Sequence, residues 1–153
     1  MFQTLDEAVS FIRHKSVAMV DLKFCDLWGR WRHVTLPAGR FNPSLIESGV
    51  GFDGSSLGLT AVKSGDLVLV PELGTAFLDP FWEAPTISFL CATLEADTRH
   101  PFPHDPRTLA ARAEEFLRTS GVGDASLWGP EFEFYLFDGV SYENGVNAAA
   151  YRV

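Results

Sequence analysis

Apolar residues at helical spacing open the chain: Leu5, Ala8, Val9 and Ile12 fall on one face, and Thr4-Leu5-Asp6-Glu7 forms a capping box ahead of them. The period then drops from 3.6 to 2. Val20, Leu22 and Phe24 alternate with Asp21, Lys23 and Cys25, which predicts a half-buried strand. Asp26-Leu27-Trp28-Gly29-Arg30 turns the chain, and Trp31 to Leu36 returns as a second strand. Asn42 to Ser48 reads as a short helix, with Pro43 at its first position and Gly49 beyond its end. A glycine-rich loop runs from Gly49 to Gly58, and the apolar runs Leu67–Val70 and Ile87–Ala92 predict two more strands. A short helix crossing a small, mostly antiparallel sheet suits this order, so the predicted class is α+β.

A boundary falls in the proline-rich connector Thr98-Arg99-His100-Pro101-Phe102-Pro103-His104. The expected division is a first domain over 1–98 and the start of a second over 105–153. Asp105 caps a helix with Pro106 at its first position, Leu109, Ala110, Ala113, Phe116 and Leu117 make its apolar stripe, and Gly121 ends it. A strand is expected over 126–137. One helix and one or two strands cannot bury their own apolar faces, so this second unit reads as begun and incomplete.

Composition narrows the partners. At 46% hydrophobic residues the chain can fill a core, which argues against disorder. A formal charge of -8 opposes binding to nucleic acid or to an anionic membrane and favours cationic ligands. No apolar run approaches membrane-span length, and the N-terminus has no basic stretch leading into an apolar one. Cys25 and Cys91 lack metal-ligand spacing and read as reduced, packed residues of a cytoplasmic protein.

Three stretches carry candidate chemistry. Gly49-Val50-Gly51-Phe52-Asp53-Gly54 matches the glycine fingerprint of dinucleotide-binding folds, but a helix precedes it and no helical period follows, so nicotinamide binding is not expected. Within the same loop, Phe52-Asp53-Gly54-Ser55-Ser56 sets one carboxylate and two hydroxyls on a glycine frame. That suits a general base or a cation ligand, and it equally suits a plain turn in which Asp53 bonds its own backbone. Finally, Gly129-Pro130-Glu131-Phe132-Glu133-Phe134 places Glu131 and Glu133 on one face of the expected strand, roughly 6.6 Å apart at two rises of about 3.3 Å. Two such anions fit either a solvated strand face or the oxygen ligands of a divalent cation.

Taken together, these motifs resemble a known family. Phe52-Asp53-Gly54-Ser55-Ser56 resembles the FDGSS motif of type I glutamine synthetases, and Asp79-Pro80-Phe81-Trp82-Glu83 their DPF(F/W) segment. Asp105-Pro106-Arg107 with Ala113-Glu114-Glu115-Phe116-Leu117 is similar to their DPR…AEEYL helix, and Gly129 to Phe134 to their GPExEF metal strand. Asp26-Leu27-Trp28-Gly29 resembles the family's hairpin turn, so the likeness covers essentially the whole chain.

The resemblance implies a β-grasp-like N-terminal domain followed by the truncated beginning of the catalytic α+β domain. It implies ATP-dependent ligation of ammonia to the γ-carboxylate of glutamate through γ-glutamyl phosphate. Carried over, Glu131 and Glu133 would ligate Mg2+ or Mn2+, while Asp53, with Ser56 beside it, would bind ammonium and accept its proton. Glutamate, ammonium and ATP are the implied substrates, and two stacked hexameric rings, a dodecamer, the implied assembly. Most of the ATP site and the remaining metal ligands have no counterpart here, so the 153 residues alone are expected to be inactive. Leu59 and Thr60 stand where the family often has a tryptophan. A γ-glutamyl ligase for another amine, such as a polyamine, and a non-catalytic short paralogue that binds full-length subunits are the alternatives.

Overall fold

The computed structural model describes residues 2–61 and 65–153. Its first helix, α1 (Leu5–His14), starts at the predicted capping box: Thr4 Oγ1 accepts from the Glu7 N–H, and the Glu7 carboxylate accepts from the Thr4 N–H. Ala8 and Ile12 on its inner face are buried. Then come β1 (Met19–Cys25), β2 (Trp31–Pro37), α2 (Pro43–Ser48) and β3 (Val50–Asp53). The chain continues through β4 (Asp66–Pro71), β5 (Phe77–Asp79), β6 (Thr86–Glu95), α3 (Pro106–Thr119) and a separate hairpin, β7 (Ser141–Asn144) with β8 (Ala149–Arg152). Among the described residues no helix is long and apolar enough to cross a membrane.

The main sheet has the order β2-β1-β6-β4-β3, with β5 also on β6. Among the described residues β1 and β6 pair in parallel, Val20 opposite Ile87 and Leu22 opposite Phe89, and the other pairs of this sheet are antiparallel. Strand β6 organises this arrangement because ten residues give it room for three partners. Residues 86–90 pair with β1, while on the other edge β5 and β4 follow one another along 86–88 and 91–95. The interruption between β4 and β5 leaves little unsatisfied, since Thr75 Oγ1 accepts the Leu90 N–H at 2.9 Å.

One face of this sheet meets the helices. Val20, Leu22 and Phe24, Leu67 and Leu69, and Ile87 and Phe89 pack with Ala8, Ile12, Phe41 and Leu45 into the core. Phe89 lies at its centre, fully buried, with Phe41 stacked on it at 4.8 Å between ring centroids. Burying each large apolar side chain stabilises the fold by about 1.5–3 kcal/mol, and this face accounts for most of that burial.

The other face departs from the expectation of a solvated polar side. Asp21 is fully buried there. Register explains it: β2 sets His33 and Thr35 opposite Lys23 and Asp21, and β6 sets Ser88 opposite Asp21. Asp21 Oδ1 accepts from Thr35 Oγ1 at 2.6 Å and meets His33 Nδ1 at 2.7 Å, while Oδ2 faces Lys23 Nζ at 2.9 Å as an ion pair. The same ammonium reaches Asp79 Oδ2 at 3.0 Å, so one lysine ties β1 to the end of β5. Asp79 in turn accepts from Ser88 Oγ and from the Phe81 N–H, fixing the Asp79–Trp82 turn.

Burial pushes the carboxyls of Asp21 and Asp79 up, but the hydrogen bonds and the Lys23 charge outweigh it, and both lie below their ordinary value. Asp26 behaves alike, through the Arg30 and Trp28 N–H groups and the Arg32 guanidinium. Groups depressed in the folded state contribute stability above their unfolded pKa and lose it as pH falls through the folded value. Melting temperature should therefore change little from neutral pH down to the ordinary carboxylate value of 3.8, then fall steeply. A melting temperature that rises on acidification below that point would contradict the network.

The connector leads into α3, which holds to its predicted cap. Asp105, almost fully buried, accepts from the Thr108 N–H at 2.9 Å, and Phe102 plugs into the core. Arg99, at φ +62°, donates to the Glu47 and Ser48 carbonyls at the end of α2. Arg107 joins α3 to the sheet through Glu72 at 2.6 Å. Yet α3 buries none of its residues, and Leu109 and Phe116 on its apolar stripe stand exposed.

The strand expected over 126–137 is not formed. Residues 125–137 carry no helix or strand and pair with no ladder partner among the described residues, and all are exposed. Alternation alone does not make a strand; its N–H and C=O groups need an edge to pair with. Tyr135 and Phe137 nevertheless stack, with ring centroids 6.0 Å apart.

Candidate functional site

The Asp53 loop is built by glycines and by the end of a strand that the sequence reading took for loop. Gly49 has φ +71°, and a Cβ there would meet Val68 Cγ1 at 2.3 Å and the Leu69 carbonyl at 2.6 Å, so only glycine lets β3 lie against β4. Along β3, Phe52 turns inward onto Phe24, ring centroids 4.7 Å apart, and Asp53 is left exposed at the strand end. The chain then tightens into a 3-10 turn over Ser55–Leu57. Gly54 donates to the Gly65 carbonyl at 2.7 Å, and a Cβ on Gly54 would strike Leu67 Cδ1 at 2.6 Å.

Both oxygens of Asp53 are engaged from within the turn. Oδ1 accepts from the Ser55 N–H at 2.9 Å and from Ser55 Oγ at 2.6 Å, and Oδ2 accepts from Ser56 Oγ at 2.5 Å. The hydroxyls of Ser55 and Ser56, with the Ser55 N–H, hold the carboxyl below its ordinary value. Asp53 thus bonds its own turn and remains an open anion; about four lone-pair positions on a carboxylate leave room for a cation beside these donors. Register adds a residue that the sequence alone did not single out. Asp66 on β4 lies directly opposite Asp53, so two like charges share one face at the end of the β3–β4 ladder. Only the pairing of β3 could have revealed it.

Glu131 and Glu133 are placed differently. Both are exposed in the unpaired segment, and neither accepts a hydrogen bond among the described residues. Among those residues no three His, Cys, Asp or Glu side chains converge on a point that could hold a metal ion. The two carboxylates have the hard oxygen donors a divalent cation takes, but two ligands do not make its six- to eightfold shell. Asp53 and Ser56 are brought together in the structure; Glu131 and Glu133 are joined by no third ligand.

Residues 16–96, the helix-packed sheet and its Asp53 loop, match the family model described as glutamine synthetase, beta-Grasp domain. The chain belongs to the glutamine synthetase family. It is 37% identical over 150 residues to a glutamine synthetase of Azotobacter vinelandii, covering 97% of this chain and 32% of the relative. It is 38% identical over 143 residues to a 3-hydroxylaminophenol mutase of Cupriavidus pinatubonensis, covering 93% and 30%. In three dimensions it resembles the glutamine synthetase of Plasmodium falciparum with a TM-score of 0.72 at 19% identity, over 98% of this chain and 29% of that one. That likeness bears on the fold, which is a β-grasp domain as expected.

The chain spans about a third of the length of the curated relatives it matches. Within the family's hairpin turn, Asp26 is fully buried and its Oδ1 accepts the Trp28 and Arg30 N–H groups, both at 2.9 Å. Arg32 Nε donates to Oδ2 at 2.8 Å, which closes the turn from the β2 side. Cys25 and Cys91 are both free, and burial pushes the Cys91 thiol far up, so it carries no thiolate chemistry.

Proposed function

We propose that this chain contributes the Asp53 loop and the Glu131 and Glu133 carboxylates to a glutamate–ammonia ligase that consumes ATP and forms glutamine through γ-glutamyl phosphate. One observation carries the reading: an anchored, exposed carboxylate held anionic by Ser55 and Ser56, in a chain 37% identical over 150 residues to a glutamine synthetase. A carboxylate so stabilised is suited to holding ammonium at the site. It is a weak base, so it takes the proton only as the amine attacks the acyl phosphate and becomes a stronger acid. Ser56 keeps the anion facing outward from the turn. Glu131 and Glu133 supply two oxygen ligands to Mg2+ or Mn2+, the others coming from elsewhere in the assembled enzyme. That cation supplies charge neutralisation to phosphoryl transfer. The working form is a homo-oligomer, a dodecamer of two hexameric rings, acting in the cytoplasm.

The mutase relative favours a second reading. At 38% identity it is as similar as the synthetases yet named for a different reaction, so the shared sequence does not fix the substrate, and a γ-glutamyl ligase for a different amine is the second reading. The assembled enzyme, offered glutamate, ATP and Mg2+ or Mn2+, should form glutamine with ammonium, and the 153-residue chain alone should form none. Product only with a polyamine would select the second reading. Turnover of 3-hydroxylaminophenol without ATP would overturn both.

A further inference from the structure

We infer that Trp28 is a positioning residue for Asp53, acting through Gly58. The inference rests on the ligase reading only for its functional consequence; the contact itself is structural. Trp28 is a large apolar side chain left 69% exposed at the tip of the β1–β2 hairpin. Its backbone is nonetheless rigidly held. Gly29 takes φ +77° and donates to the Asp26 carbonyl, while the buried Asp26 carboxylate accepts the Trp28 N–H.

From that fixed base the indole reaches the Asp53 loop. Gly58 closes the Ser55–Leu57 turn in the left-handed region at φ +69°, and a Cβ built on it would lie 3.4 Å from Trp28 Cη2 and 3.9 Å from Cζ3. The edge of the six-membered ring thus covers the place where a side chain would project from Gly58. Gly58 donates to the Ser55 carbonyl at 3.0 Å, and Leu59 donates to the Gly54 carbonyl at 2.9 Å, so displacing Gly58 displaces the two serines. Those serines provide the three hydrogen bonds that Asp53 accepts among the described residues. The line of contact runs Asp26, Trp28, Gly58, Ser55 and Ser56, Asp53. Because the indole is mostly exposed, its burial adds little to stability, and what it contributes is the position of the turn.

The test follows each carboxyl by NMR titration in the 153-residue chain with Trp28, Trp28→Phe and Trp28→Ala. With Trp28→Ala, the Asp53 midpoint should move up toward the ordinary carboxylate value while Asp21 and Asp79 stay in place, and the ring-current shift of the Gly58 α-protons should vanish. Trp28→Phe, which keeps a ring at the contact, should restore most of both. An unmoved Asp53, or Asp21 and Asp79 moving with it, would overturn the inference, the latter by making Trp28 a general stabiliser. In the assembled enzyme, Trp28→Ala should raise the KM for ammonium roughly tenfold with little change in the KM for glutamate. An Asp53→Asn enzyme with full activity would instead sink the ligase role of Asp53, whatever the Trp28 titrations show.

Discussion

Asp53→Asn in the assembled enzyme is expected to lower kcat/KM for ammonium by roughly 10²- to 10³-fold, the loss usual for a positioned charged group at a reacting centre. The substitution keeps size and shape, and the asparagine oxygen can still accept the Ser55 N–H where Asp53 Oδ1 does now, at 2.9 Å. What disappears is the negative charge. Asp53 is exposed at the end of β3, so the fold should survive the change, and circular dichroism and melting temperature should match the parent. The pH profile sharpens the expectation. Ser55 and Ser56 keep the Asp53 carboxyl below its ordinary value, so ammonium affinity should hold down through the usual carboxylate range. A loss of less than about threefold would remove Asp53 from the site, since charge-assisted contacts contribute more than that.

Lys23→Met should be the most destabilising single change on the back of the sheet. The ammonium stands 2.9 Å from Asp21 and 3.0 Å from Asp79, and those carboxylate side chains are 0% and 6% exposed. Methionine fills the volume and removes the ammonium that the two carboxylates share. Removing one partner from a buried pair costs about 3–5 kcal/mol because the remaining charge stays desolvated. For a domain of this size that is a fall in melting temperature of roughly 10 °C or more. The sign with pH is opposite to that of the parent network. Without Lys23 the two carboxylates are raised, protonation relieves them, and the deficit should be largest at neutral pH and shrink toward acid. Denaturant unfolding at two pH values measures both; a deficit below about 1 kcal/mol at neutral pH would mean that water replaces the lysine.

Much of the fold was legible because its signals are local. A capping box, Pro43 and Pro106 at first helical positions and Asp105 before the latter placed α1, α2 and α3; period-2 alternation placed β1, and the turn after it placed β2. These depend on neighbours within a few residues, which the chain carries wherever it goes. β3 and the three-residue β5 escaped notice because their reason for being strands is a partner edge. The β7–β8 hairpin was missed as well, and residues 126–137, with clear alternation, found no edge at all.

The candidate site divides in the same way. Asp53 and its two serines could be read directly, since a glycine-framed carboxylate with hydroxyls two and three residues on closes its own hydrogen bonds. Asp66 opposite Asp53, Trp28 against Gly58, and the burial of Asp21 beneath a lysine shared with Asp79 were decided only when distant strands came into register. The sequence by itself determined which residues could form helices, turns and a loop with chemistry, because those choices are made by steric and hydrogen-bonding preferences over short spans. The tertiary structure decided which charges face one another and which are removed from water. Those energies depend on distance and dielectric, and neither exists until the sheet is assembled.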